Sequence, residues 1–425
     1  MKEIKRLQAL GISPANILLP REGADMERWA AIACDQYSSE PDYWEKAYAF
    51  VGGSPSTLKL IIPEAFLETP RAAALQQSAT GEMQAYLDSG VLREVAESFV
   101  YVERKTPHAD CRRGLVAAFD LEKYDFTPGN QMPIRATEGT ILSRIPPRMA
   151  VRKQAALECP HVMILIDDPG RTVIEPLAGL KSSLEPLYST GLMAGAGSVA
   201  GWRVNGAERF APIADALEAL AQKGGMLFAV GDGNHSLATA KACWDELKPM
   251  LTEAEREIHP ARWALAELVN IHDEGLQFHP IHRVVFHADP VELVAVLLWE
   301  MNKRGWAASM GEEPQGAQSI EYSCAADHGW INVARPESPL ACGTLQQALD
   351  AVLPTFAGAS VDYVHGDGSA VALGHREGNI AFLLQAMDKA ELFPAVEKLG
   401  VLPRKAFSMG EADEKRFYLE CRKIR

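Results

Sequence analysis

Residues 226–247 read MLFAVGDGNHSLATAKACWDEL, and the fold turns on how this stretch is read. Met226–Val230 is a short apolar run with glycine on both sides, the pattern of a buried strand. Leu237, Ala240, Trp244 and Leu247 recur at helical spacing, so a helix is expected to open near His235. Between them, Gly231-Asp232-Gly233-Asn234 predicts a tight turn in which Asp232 or Asn234 caps the helix. The two glycines let the backbone bend sharply and approach a ligand. A carboxylate and an imidazole then stand at a helix N-terminus, where backbone N–H groups favour an anion. The glycine spacing fits neither G-x-x-x-x-G-K-[ST] nor G-x-G-x-x-G, and many strand–turn–helix junctions bind nothing.

Working outward, the chain alternates strands and helices, which predicts a mixed α/β (α+β) class. Phe99–Arg104 and Gly114–Tyr124 bracket a polar loop and read as a hairpin, and His161–Asp168 reads as another buried strand. Strands are also expected at Trp29–Ala33 and Leu58–Ile62, with a helix at Pro41–Phe50 whose proline suits the first turn. Phe66–Val95 is expected to be mostly helical, interrupted at Gly90. A second Gly366-Asp367-Gly368 echoes the central turn, but no clear helical pattern follows it, so a hairpin turn is expected there. Arg416–Ile424 alternates like a closing strand. Element order places a domain boundary near Phe286–Pro290, giving regions 1–285 and 286–425.

The composition, 47% hydrophobic and 23% charged over 425 residues, is that of a globular chain with a sizeable core. A formal net charge of −14 argues against non-specific nucleic-acid binding, which needs many basic contacts to phosphate. Seven scattered cysteines with no C-x-x-C pair point to reduced thiols, without a disulfide frame or zinc site. The N-terminal residues lack the apolar core of a signal peptide, and Leu293–Trp299 is too short to span a bilayer. A cytoplasmic protein without membrane attachment is therefore expected, its oligomeric state left open.

Among candidate residues, Arg135-Ala136-Thr137-Glu138-Gly139-Thr140 is dense in polar groups. Arg144, Arg148 and Arg152 fall four apart on one helical stripe, either a solvated face or an anion-facing wall. His272, His279, His282 and His287 suit neither H-E-x-x-H nor a zinc finger, and Arg283 after a proline turn is the better anion-binding candidate.

Four of these stretches, taken together and in order, resemble the domain-of-unknown-function family 1015. Gly231-Asp232-Gly233-Asn234-His235-Ser236 resembles its D-G-H-H-R turn, and Ile134–Thr140 its K-P-H-E-x-T element, with Glu138 and Thr140 retained. Pro280-Ile281-His282-Arg283 resembles P-T-H-R. Leu402-Pro403-Arg404-Lys405-Ala406-Phe407 resembles M-P-x-K-S-T, with Ser408 in the same closing turn. The resemblance spans about residues 30 to 425. A relative of the family is the archaeal free-serine kinase. The resemblance therefore implies a ParB/sulfiredoxin-like nucleotide-binding core with an additional α/β C-terminal domain contributing to the same cleft.

It also implies a kinase acting on the hydroxyl of free serine or a similar small molecule, with ADP or ATP and Mg2+. Glu138 would be the general base, and Asp232 would serve magnesium or the substrate hydroxyl. Gly231, Gly233, Asn234, His235, Ser236, Thr140 and Arg148 would hold nucleotide phosphate, and His282, Arg283, Lys405 and Ser408 the substrate. The chain departs from the family pattern where the turn's Arg is Ser236, its first His is Asn234, and the His before the Glu is Thr137. Losing that Arg removes a bidentate phosphate clamp that serine does not replace, unless Arg148, Arg152, Arg283 or Lys405 compensates. The rival reading is a non-catalytic nucleotide-sensing or regulatory module on the same scaffold.

Overall fold

Residues 99–104 and 114–119 are apolar at nearly every position, the pattern of strands covered on both faces. A computed structural model, which describes residues 2–425, shows the two covers. Phe99, Tyr101, Leu115, Ala117 and Phe119 face one buried core. Val100, Val102, Val116 and Ala118, pointing the other way by strand alternation, face a second.

In chain order the first elements are α1 (Lys2–Ala9), β1 (Ile12–Ser13), β2 (Ala15–Pro20), α2 (Met26–Trp29), β3 (Ala31–Ile32), α3 (Pro41–Val51) and α4 (Ala72–Asp88). There follow β4 (Leu92–Lys105), β5 (Arg112–Asp120), β6 (Tyr124–Asp125), β7 (Ile134–Ala136), α5 (Ile145–Arg152), β8 (Leu157–Glu158) and β9 (Met163–Ile166). Next come β10 (Glu185–Gly191), β11 (Ser198–Val204), α6 (Ala207–Ala221), β12 (Phe228–Asp232), α7 (Asn234–Leu247), α8 (Glu253–Ile258) and β13 (Trp263–Asn270). Eleven strands build one mixed sheet in the order β10-β11-β4-β5-β13-β9-β12-β7-β6, with β1 on β5 and β2 on β4. The pairs β13/β9, β12/β7 and β6/β7 are parallel.

The remaining elements are β14 (Phe278–His279), β15 (Ile281–Phe286), α9 (Pro290–Lys303), β16 (Ala308–Gly311), β17 (Gln318–Ser323), β18 (His328–Val333) and α10 (Ala341–Val352). They continue through β19 (Ser360–His365), α11 (Asp367–Gly374), β20 (Ile380–Leu383), α12 (Leu392–Leu399) and β21 (Ser408–Met409). A six-stranded antiparallel sheet runs β16-β18-β17-β20-β15-β19.

The chain forms two compact units, one of residues up to Leu276 together with Gly410–Arg425, the other of Gln277–Met409. The expected division at 285/286 therefore shifts, because β15 pairs with β19 and β20 inside the second unit. The tail belongs to the first unit for a polar reason as well as an apolar one. Its short strand β22 (Phe417–Tyr418) pairs with β3, and β23 (Arg422–Lys423) with β8. Arg416, fully enclosed, donates to Glu267 Oε2 at 2.8 Å and to Glu420 Oε2 at 2.7 Å. Arg422 donates to Glu158 Oε1 at 2.9 Å. Pairing of this kind offsets the cost of taking these charges out of water.

Local expectations are corrected where side chains compete with the backbone ladder. Leu58–Ile62 is no strand: Thr57–Leu60 is a 3-10 turn, with Ser56 Oγ accepting from Leu58 N and Thr57 Oγ1 donating to Trp29 O at 2.8 Å. Trp29 ends the short helix α2, whose N-cap is Asp25, leaving only Ala31–Ile32 extended. Gly90 ends the helical stretch for good, and the chain beyond it is the 14-residue β4. No described helix is long and apolar enough to cross a membrane.

Candidate functional site

The site begins with a register. Ala136 of β7 lies opposite Val230 of β12 in a parallel pair, so Glu138 and Asp232 each follow their partner by two residues at the same sheet end. Both chains then turn under mutual restraint. Thr137 N donates to Asn234 Oδ1 at 3.3 Å, and Thr137 Oγ1 donates to Val230 O at 2.6 Å. Further along, Ile141 N donates to His235 Nε2 at 3.1 Å. A donor aimed at Nε2 requires a neutral ring carrying its proton on Nδ1. The loop holding Glu138 is thus stitched to the first turn of α7, where Asn234, His235 and Ser236 are the opening residues.

The expected side-chain cap is absent. Gly233 is the N-cap, in the left-handed region at φ 78 with no side-chain cap bond, while Asn234 is spent on Thr137 and Val230. A Cβ at Gly233 would meet Val162 Cγ2 at 3.0 Å and Val162 Cα at 3.1 Å. Glycine is needed there for both conformation and space.

Asp232, just before the turn, accepts from Gly233 N at 2.9 Å and faces Lys415 Nζ at 3.2 Å. Burial pushes its carboxyl up, but Lys415, His161 and the Gly233 N–H outweigh it, so the pKa lies below the ordinary aspartate value. His161 Nδ1 and Tyr418 Oη share a 2.7 Å hydrogen bond, and His161 Nε2 lies 3.8 Å from Asp35 Oδ2. Tyr418 Oη also accepts from Cys34 N at 3.1 Å. Burial first, and the neighbouring Cys34 and Asp35, hold the Tyr418 hydroxyl well above its ordinary range, so it stays protonated.

The expected basic wall is committed elsewhere. Arg148 pairs with Glu64 and also donates to Arg144 O at 3.0 Å. Arg152 pairs with Glu158 at 2.6 Å. Arg135 donates to Met132 O at 2.8 Å. Thr140 Oγ1 is buried and has no hydrogen-bond partner.

The substrate residues expected near the C-terminus lie in the second unit. His282 is buried on β15, with Nε2 2.8 Å from Asp367 Oδ1 and Nδ1 accepting from Leu384 N at 3.1 Å. Burial outweighs Asp367 and lowers its pKa, keeping the ring neutral. Arg283 is fully buried and donates to the carbonyls of Ile281 and Arg404, which makes it an internal brace of that unit. Ser408 pairs with His279 between β21 and β14, and Lys405 has a positive φ of 52.

Sequence reasoning missed Lys415, His161, Tyr418 and Asp35. Lys415 lies in the charged run Glu411–Arg416 and His161 opens an apolar strand, so neither carries a local signal. Only the return of the tail to β3 and β8 makes them neighbours.

As a magnesium ligand Asp232 does not fit as it stands. Its two oxygens serve Lys415 and the Gly233 N–H, and an ammonium occupies the place a metal cation would need.

A family model described as "Protein of unknown function (DUF1015)" matches residues 18–352. The chain belongs to this family. No curated protein matches the DUF1015 chain. Among solved structures it is similar to a free serine kinase variant in complex with AMP, with a TM-score of 0.39 and 10% identity over 73% of this chain and 92% of that one. A conserved hypothetical protein from Pyrococcus furiosus gives a TM-score of 0.37 at 10% identity, covering 73% of this chain and 95% of that one. SbnI with a C-terminal truncation, from Staphylococcus aureus, gives 0.36 at 10% identity, covering 73% and 87%. At these TM-scores none of the three lends a residue role to the DUF1015 chain.

Proposed function

We propose that this DUF1015 protein is a nucleotide-dependent phosphotransferase acting on the hydroxyl of free serine or a similar small molecule, with ADP or ATP as donor. The observation that carries the reading is the parallel register of β7 and β12, which brings Glu138 and Asp232 to one sheet end beside the first turn of α7. The ordered motif resemblance over the chain agrees with it.

In this reading the Glu138 carboxylate takes the proton of the attacking hydroxyl as the oxygen closes on phosphorus. The first turn of α7 and the Lys415 ammonium offset the charge of the transferred phosphoryl group, and the nucleoside phosphate departs. Asp232 positions Lys415 through their 3.2 Å ion pair. No step is assigned to magnesium at Asp232.

The test is direct. Purified protein incubated with L-serine, nucleotide and Mg2+ is expected to yield phosphoserine. Glu138→Gln is expected to lower turnover by about 100-fold or more while leaving the melting temperature near wild type. Wild-type turnover in that variant would remove Glu138 from the chemistry. The committed state of Asp232, Arg148 and Arg152 favours the sensing module as second reading. Nucleotide-induced thermal stabilisation without product over long incubation would select it. No response to any nucleotide ends both.

A further inference from the structure

The sequence scatters its cysteines, yet the fold brings two of them face to face. β8 and β23 pair antiparallel, with Glu158 opposite Arg422 and Leu157 opposite Lys423. The next step of that register sets Cys159 opposite Cys421. On its other side Cys421 exchanges both backbone hydrogen bonds with Leu18, at 2.7 and 2.9 Å. Its N–H and C=O therefore point away from Cys159, and the two cysteines form a non-hydrogen-bonded cross-strand pair. Opposed Cα atoms in such pairs approach to about 4.5 Å, a separation that a disulfide spans. The Sγ atoms lie 3.1 Å apart. Cys421 is fully buried, whereas Cys159 is partly exposed.

We propose that Cys159 and Cys421 are a redox site, closed to a disulfide by a hydroperoxide and reopened by a dithiol. The Cys159 thiol attacks the peroxide, the O–O bond breaks, and a sulfenic acid and one water (or alcohol) result. The Cys421 thiol then attacks the sulfenic sulfur, the S–S bond forms, and the hydroxyl leaves as water with the thiol proton. Two thiols lose two electrons in all, and the peroxide gains them. The hydrogen bond with Cys159 and burial keep Cys421 a protonated thiol, which leaves the partly exposed Cys159 as the sulfur an oxidant meets first. Closure would tie the tail to β8 at the end of the segment whose Lys415 reaches Asp232. It would also join residues 262 apart, a long loop whose closure constrains the unfolded chain.

Peptide mapping of the full chain reads the bond. Fully reduced protein is treated with limiting hydrogen peroxide, its free thiols are alkylated, and it is digested with trypsin without reductant. The expected product joins QAALECPHVMILIDDPGR (154–171) to FYLECR (417–422), each with a single cysteine, at a mass lower by two hydrogens than their sum. Dithiothreitol should separate them, and the oxidised protein should melt above the reduced one. Cys421→Ser should instead leave Cys159 as a sulfenic acid that dimedone traps. Both peptides emerging alkylated after peroxide treatment would overturn the proposal, as would cross-links that join other cysteines instead. The outcome does not depend on phosphotransfer, so it stands or falls apart from that reading.

Discussion

The tripeptide Gly-Asp-Gly occurs twice after a strand and before a helix, and the two copies are built differently. In the first unit Asp232 closes β12, Gly233 is the left-handed N-cap, and α7 follows with 14 residues. In the second unit Gly366 is the N-cap at φ 85, and Asp367 is already the first residue of the 8-residue α11. The two-residue offset moves the carboxylate. Asp232 faces a lysine and a backbone amide in a half-buried corner, whereas the Asp367 side chain is 80% exposed and meets a buried histidine. Identical letters therefore assign opposite duties to the glycines, depending on which of them leaves the strand.

The largest test of this contrast is Gly233→Ala against Gly368→Ala. The first forces a Cβ onto Val162 in a left-handed conformation, and chemical denaturation should show a loss of about 3 kcal/mol. The second adds a methyl with nothing within 4 Å in a helical position, and is expected to be neutral or to stabilise by about 0.5 kcal/mol. Equal losses would mean the turns are alike after all.

Next in size is His282→Ala, which leaves the Leu384 N–H without its acceptor and should cost about 2 kcal/mol at neutral pH. The pH dependence sharpens it. The folded pKa of His282 lies below its unfolded value near ~6.5, so protons prefer the unfolded chain. Its contribution to stability should be complete above about pH 6.5 and fade as pH falls through the folded value. Urea midpoints across that window should slope in wild type and flatten in the variant.

Asp232→Asn should cost about 1–2 kcal/mol by breaking the bond to Lys415. Because the folded Asp232 pKa is depressed, this contribution is full above about pH 4 and lost as pH falls through the folded value. Asp367→Asn, whose side chain is exposed and whose amide oxygen can still accept from His282 Nε2, should stay within about 0.5 kcal/mol. A larger loss there than at Asp232 would reverse the comparison.

The sequence made the first turn legible because its glycines sit between an apolar run and a helical stripe. It hid the second because DGSAVALG carries no apolar stripe to mark a helix. The hairpin was readable from its apolar runs at 99–102 and 115–119 on either side of a polar loop, and the hydrogen bonds of Ser56 and Thr57 overrode a similar apolar pattern just beyond them. Glu138 and Asp232 could be named but not brought together, since pairing of β7 with β12 joins segments far apart in sequence. Lys415 was invisible for the same reason, and Lys405 drew attention because its neighbours resembled a motif.

The interrupted layout of the first unit has a consequence for synthesis. Glu267 and Glu158 are laid down long before Arg416 and Arg422, and the whole of 277–409 leaves the ribosome in between. The inserted unit holds all of its own sheet and can finish first, while its host waits with Glu267 lacking its Arg416 counter-charge and Glu158 ion-paired with Arg152 alone. A nascent chain released short of its last sixteen residues would leave the Glu267 carboxylate facing an open seam without its Arg416 partner.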